Sequence, residues 1–281
     1  MLVTRFSDGE IRVEIGENVR GKDTYVLQST CPPVNENLME LLIIIDSLKR
    51  ASAGRINAII PYYGYGRQDQ KEKPRVPLTS KVVADLLSVA GADRVISIDF
   101  HAEQIQGFFN IPVDHLFGSA VLIPDLKERL RGDEIIVAPD SGGVERARLF
   151  ASALHLDLAI MDYRTEAIRS LIVGNVRGRR AIILDDMIDT GRTVLRTAKV
   201  ALEAGADVVE AYCVHPIFSG SAVDDIAASP ISCITVTDTV PLSEKAKALD
   251  KIRVVSIAPM LAEVVRRVHF EESVSSLFKL R

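Results

Sequence analysis

The chain has 281 residues, 47% of them apolar, with a net charge of −4 at pH 7 and a pI of about 5.8. That length and apolar content suit two medium domains better than one large one, and the acidic balance argues against nucleic acid as a partner. The longest apolar run, Leu38 to Leu48, is interrupted by Glu40 and Asp46 and is too short to cross a bilayer, so no membrane partner is expected.

Met1 to Arg5 leads straight into polar residues, which speaks against a secretory leader. Cys31, Cys213 and Cys233 are odd in number and lack metal-ligand spacing; they read as buried free thiols of a cytoplasmic protein. Along the chain, short apolar runs alternate with helical patterns. Strands are expected at Asp23 to Gln28, Ile56 to Ile60, Arg94 to Asp99, Glu134 to Ala138, Leu158 to Met161, Arg180 to Leu184, Asp207 to Tyr212 and Ile231 to Val236. Helices are expected from about Asn35 to Ala53, from a Thr79 or Ser80 cap to about Val89, from Thr193 to about Ala204, and from Met260 to Val268. Near-continuous apolar strands separated by helices predict an α/β fold with parallel sheets covered on both faces. The Pro112 turn and the segment Phe117 to Ile123 divide it into domains of residues 1–118 and 119–281, with the last helix free to pack back on the first.

In such a fold, ligands bind at the carboxyl ends of strands, and the polar motifs fall there. Asp185-Asp186-Met-Ile-Asp189-Thr190-Gly191-Arg192-Thr193 follows a buried strand and opens a helix. The loop offers backbone N–H groups and a positive helix end to an anion. Three carboxylates beside it suit sugar hydroxyls or a cation, so the whole segment fits a phosphorylated sugar. The plainer alternative is an acidic strand end capped by Asp189 or Thr190.

Pro139-Asp140-Ser-Gly-Gly143 reads either as an anion-binding turn or as an ordinary strand-to-helix turn. His101, between Asp99 and Glu103, could ligate a cation, bind phosphate or serve local hydrogen bonding, and Asp140 is the better oxygen ligand for magnesium. Gly64 to Pro77, with Arg67, Lys71, Lys73 and Arg75, is either a solvated mobile loop or an arm for polyphosphate. Phe6-Ser-Asp8-Gly9-Glu10 looks like a turn, and His115, His155, His215 and His269 are assigned no role.

Together these segments resemble the bacterial ribose-phosphate pyrophosphokinases. The likeness also runs through Asn18-Val-Arg-Gly21, Asn37-Leu-Met-Glu-Leu41, Arg50-Ala-Ser-Ala-Gly-Arg55, Pro61-Tyr-Tyr-Gly-Tyr-Gly-Arg-Gln-Asp69, His101-Ala-Glu-Gln-Ile-Gln-Gly-Phe-Phe109 and His215-Pro-Ile-Phe-Ser-Gly220. The resemblance implies two phosphoribosyltransferase-like domains, assembly into dimers or hexamers, and magnesium-dependent transfer of the diphosphate of ATP to ribose 5-phosphate. By position it implies that Phe6, Asp8, Gly9, Glu10, Arg67 and Gln68 bind ATP, the first group reaching it from a neighbouring subunit. It likewise assigns the metal–nucleotide to His101 and Asp140, and ribose 5-phosphate to Asp185, Asp186, Asp189, Thr190, Gly191, Arg192 and Thr193. Glu271-Glu-Ser-Val-Ser275 resembles the carboxyl-terminal end that in many members helps form a phosphate or ADP regulatory site.

Three departures stand out. Tyr163, in Asp162-Tyr-Arg-Thr165, occupies the family's catalytic-lysine position, and the arm down to Gly174 is short. Arg192 replaces a glycine of the cradle, at a conformational cost if that residue needs a positive φ. The chain also starts just ahead of the Phe6 segment, where the family usually has a strand–helix unit, so either the start was trimmed or misassigned or the amino-terminal sheet lacks an edge. The alternative these raise is a weak or inactive homologue that binds nucleotide or sugar phosphate and assembles with an active synthetase.

Overall fold

A computed structural model describes residues 1–71, 73–162 and 171–278, which form two units. Unit 1 contains residues 1–117 and 264–274; unit 2 contains residues 118–263 and the chain end. Tyr163, Arg164, Thr165 and Arg169 lie outside the described residues.

Unit 1 opens with an antiparallel hairpin of β1 (Leu2–Arg5) and β2 (Ile11–Glu14). β3 (Asp23–Leu27), α1 (Val34–Arg50), β4 (Arg55–Ile60), α2 (Thr79–Ala90), β5 (Arg94–Ile98) and β6 (Val113–Leu116) follow. The four later strands form an all-parallel sheet in chain order. α1 buries Leu38, Leu41, Ile44, Ile45 and Leu48, the spacing of a single helical face, against apolar residues of β3 and β4. It ends at Arg50, short of the expected Ala53. α2 ends on left-handed Gly91, but its expected cap is corrected: Leu78 holds the cap position without a side-chain bond, and the Thr79 hydroxyl donates instead to Gln68.

Unit 2 runs through α3 (Ser119–Arg129), β7 (Glu134–Ala138), α4 (Val144–Leu154), β8 (Asp157–Asp162), β9 (Leu171–Val173) and β10 (Arg180–Ile188). α5 (Arg192–Glu203), β11 (Val208–Pro216), α6 (Ala222–Ala228), β12 (Cys233–Thr237), α7 (Glu244–Lys247) and β13 (Ile252–Val255) complete it. The last helix, α8 (Ala258–His269), starts in unit 2 and finishes in unit 1. In unit 1, the Arg55 guanidinium donates to the Val268 carbonyl at 3.2 Å, and His269 Nδ1 lies 3.0 Å from the Asp23 carboxylate.

The unit 2 sheet has the order β13-β12-β11-β10-β7-β8-β9, parallel except for β9 at its edge. The chain leaves β7 in one direction, through β8 and β9, and returns to place β10 on the other side. The strand order therefore reverses between β7 and β10, the switch point at which open α/β sheets bind ligands. Ile135, Val137, Ile183, Val209, Ala211, Ile234 and Val236 pack the centre, which explains why these strands read as continuous apolar runs.

Two expectations change here. β10 extends to Ile188, so Asp185 and Asp186 belong to a strand and not to an acidic turn; pairing of Asp185, Met187 and Ile188 with Cys213, His215 and Pro216 carries the ladder outward. Cys31 and Cys213 are buried free thiols, but Cys233 is only half-buried.

Candidate active site

In unit 1 the candidate nucleotide residues sit on three loops. Phe6, Asp8, Gly9 and Glu10 form the exposed link between β1 and β2; Phe6 N donates to Glu10 O at 2.8 Å, and the Asp8 carboxylate accepts from Glu10 N. Gly9 has a φ of +95°, the backbone conformation such a tight return demands.

The second loop leaves β4. Gly64 N donates to the Thr30 hydroxyl at 2.7 Å, and a Cβ on Gly64 would collide with the Thr30 carbonyl oxygen. Tyr63 is buried beneath the turn and donates to Ser80 O at 2.9 Å; burial pushes its phenol pKa upward. The turn delivers Arg67 and Gln68 to the surface, while Asp69 turns inward and accepts from the Gln104 amide at 2.8 Å. The beginning of the basic loop is thus tied down.

The third loop leaves β5. Asp99 is buried with a φ of +39°, and Phe100 N donates to Nε2 of buried His115 at 3.0 Å, leaving His101 exposed. His115 therefore supports this turn, and His215 contacts the Thr239 hydroxyl at 2.9 Å; neither role was readable from sequence.

In unit 2, Asp140 follows β7, and its Oδ1 accepts from Gly143 N at 2.9 Å, closing the turn before α4. Across the switch point, Asp185 Oδ1 accepts from Asp186 N at 2.9 Å. Burial, reinforced by the adjacent Asp186 charge, pushes the Asp185 pKa up to about 8. The Arg146 guanidinium, on the first turn of α4, opposes that rise and lies 4.0 Å from Asp186. On the neighbouring strand, where Cys213 pairs with Asp185, burial and the two aspartates raise the pKa of its thiol.

Asp189 accepts a hydrogen bond from the Ser219 hydroxyl, and Ser219 N donates to Asp189 O at 2.9 Å. The cap residue of α5 is Gly191, not Asp189 or Thr190. Gly191, at φ +78°, holds that position and leaves the helix end presenting backbone N–H groups beside the carboxylates. Arg192 is the first helical residue and is not in a positive-φ conformation, so the anticipated strain at that position does not arise.

Unit 2 thus brings Asp140, Asp185, Asp186, Asp189 and the start of α5 to the strand ends around the switch point, with Arg146 added. Sequence reading missed Arg146; its signal was a cation three residues beyond the Gly142-Gly143 turn. Among the described residues, no cluster of three or more His, Cys, Asp or Glu side chains is arranged to hold a metal ion.

Residues 1–91 match the profile of the N-terminal domain of ribose phosphate pyrophosphokinase, and residues 165–279 match the phosphoribosyl synthetase-associated domain. The ribose-phosphate pyrophosphokinase of Haemophilus influenzae is 53% identical, over 98% of this chain and 90% of that protein. That of Chromobacterium violaceum is 54% identical, over 98% and 86%. This chain belongs to the ribose-phosphate pyrophosphokinase family. The crystal structure of phosphoribosylpyrophosphate synthetase from Mycobacterium smegmatis superimposes with a TM-score of 0.91 at 43% identity, covering 96% of this chain and 90% of that one. The fold and near-complete overlap place this family member among the transferases.

Proposed function

We propose that the protein transfers the diphosphate of ATP to ribose 5-phosphate, giving 5-phosphoribosyl 1-diphosphate and AMP. The observation that carries this reading is the acidic end of β10 running into the Gly191-headed start of α5 at a sheet switch point. The helix start suits a 5-phosphate, and the carboxylates suit ribose hydroxyls. The 1-hydroxyl oxygen would bond to the β-phosphorus as its bond to the α,β-bridging oxygen breaks. AMP departs with that oxygen, and the hydroxyl proton passes to solvent.

Magnesium suits this donor set as a nucleotide-borne ion, because the described residues offer no ready-made cage and Mg2+ is commonly held by one or two carboxylates plus phosphates. Asp140 in unit 2 and His101 in unit 1 are each candidate ligands for it, taken separately, and it would neutralise charge on the transferring phosphates. Arg67 and Gln68 would bind ATP, and the exposed loop carrying Phe6, Asp8, Gly9 and Glu10 would reach the adenine of a neighbouring subunit in a homo-oligomer. ATP supply fits a cytoplasmic setting; among the described residues, no helix is long and apolar enough to cross a membrane.

A coupled assay with ATP, ribose 5-phosphate and magnesium tests the proposal. Stoichiometric AMP and 5-phosphoribosyl 1-diphosphate are expected, and no product above background from folded protein would reject it. Tyr163 favours a second reading, a catalytically weak homologue that assembles with an active synthetase. Co-purification with such a subunit, together with negligible turnover alone, would select it.

A further inference from the structure

Arg146 stands where α4 meets the carboxyl ends of β7 and β10. Its side chain is three-quarters buried, with 25% of its surface exposed, and the Asp186 side chain is only 11% exposed. Their separation of 4.0 Å is an ion-pair distance, longer than a direct hydrogen bond. Arg146 also acts electrostatically on Asp185 and on Cys213 of the neighbouring strand. Two adjacent, largely buried carboxylates repel each other, and a guanidinium beside Asp186 fixes where its oxygens sit.

We propose that Arg146 is a positioning residue for the sugar phosphate: its guanidinium anchors Asp186, so that the Asp186 carboxylate presents acceptor oxygens to ribose hydroxyls. The inference rests on the reading that this end of β10 binds ribose 5-phosphate. It differs from two plainer roles. A helix-to-sheet tie would affect stability without distinguishing between ligands. A direct phosphate contact would act independently of Asp186.

Isothermal titration of the full chain with ribose 5-phosphate, and separately with magnesium–ATP, distinguishes these roles whether or not the protein turns over rapidly. The variants are Arg146→Gln, Arg146→Lys, Asp186→Asn and the Arg146→Gln/Asp186→Asn double, each checked for folding by circular dichroism. Arg146→Gln should weaken ribose 5-phosphate binding by about tenfold or more, the scale of a lost charge-assisted interaction, and leave ATP affinity within about twofold. Arg146→Lys should recover much of the loss. The double variant should bind no worse than Asp186→Asn alone, because the two residues act as one unit. If Asp186→Asn weakens the sugar phosphate but Arg146→Gln has no effect, or the two effects add, the inference is overturned and the site reading stands. Equal loss of ATP and ribose 5-phosphate affinity, or no recovery with lysine in a folded protein, also overturns it. Unchanged ribose 5-phosphate affinity in Asp186→Asn overturns the site reading and the inference with it.

Discussion

The Gln104 side-chain amide donates to the Asp69 carboxylate at 2.8 Å, tying the loop after β4 to the helical turn that follows β5. Asp69 is 8% exposed, so this bond meets the need of a carboxylate that water reaches poorly. Replacing Gln104 with alanine should cost about 1–3 kcal/mol, since the acceptor stays buried after its donor is gone. Differential scanning calorimetry should show a lower melting temperature, and titration should show weaker ATP binding because Arg67 and Gln68 lose their anchored neighbour. An unchanged melting temperature with unchanged ATP affinity would remove Asp69 from this account.

Gly64 is required for a different reason. Its amide donates to the Thr30 hydroxyl, and an added methyl would run into the Thr30 carbonyl oxygen, which is backbone and cannot swing aside. Gly64→Ala should therefore destabilise the protein by about 1–3 kcal/mol, the cost of overpacking, and should displace Arg67 and Gln68. Urea unfolding combined with ATP titration checks both effects.

The legible features were those with strong periodicity. The apolar run Glu134 to Ala138 gave β7 its observed limits, and the α1 face was visible in its leucine and isoleucine spacing. β10 ran past its expected end because the extension depends on pairing with β11 rather than on apolar character. The Thr79 hydroxyl was drawn to Gln68 by a contact that local capping patterns cannot show. Of the candidate site, the Asp185 to Thr193 segment was readable because strand, carboxylates and helix start are contiguous. Arg146 was not, since it meets Asp186 only once β7 and β10 become neighbours.

Asp185 gives a pH prediction whose sign follows from its raised pKa. Burial and the Asp186 charge push the carboxyl from the ordinary aspartate value of 3.8 up to about 8 in the folded chain, so folding favours the protonated form. That contribution to stability is complete below the unfolded value and is lost as pH rises through about 8. Without ligand, Asp185→Asn should gain in melting temperature relative to the parent chain as pH rises from about 6 to about 8.5, by several degrees. The same variant should bind ribose 5-phosphate more weakly. Parallel pH profiles for the two proteins would show that Asp185 is not the responsible group.

Arg192 departs from the family pattern without backbone strain, because Gly191 carries the positive φ and Arg192 starts α5. Restoring glycine at 192 should therefore cost up to about 1 kcal/mol through lost helix propensity. Gly191→Ala should also cost about 1 kcal/mol, there because alanine is forced into the left-handed region. Ribose 5-phosphate affinity should fall in Gly191→Ala, since the cradle turns at that residue. Stabilisation by Arg192→Gly would mean that the strain has been placed on the wrong residue.

The resemblance sets Tyr163 at the family's catalytic-lysine position, which predicts a slow reaction. Diphosphate transfer builds negative charge on the phosphoryl oxygens, and a positioned cation there can be worth about 10³–10⁵ in rate. A neutral phenol supplies a hydrogen bond without the charge. Tyr163→Lys should raise kcat by about tenfold or more if the arm brings residue 163 to the phosphates, and should leave the KM for ribose 5-phosphate nearly unchanged, because charge stabilised only in the transition state appears in kcat. The short arm is the competing limit. A lysine variant with unaltered kcat, alongside a chain with the arm lengthened to the family's usual size that gains rate, would assign the deficit to reach. If neither change raises kcat and the parent chain turns over slowly, the protein belongs with the binding homologues that assemble beside an active synthetase.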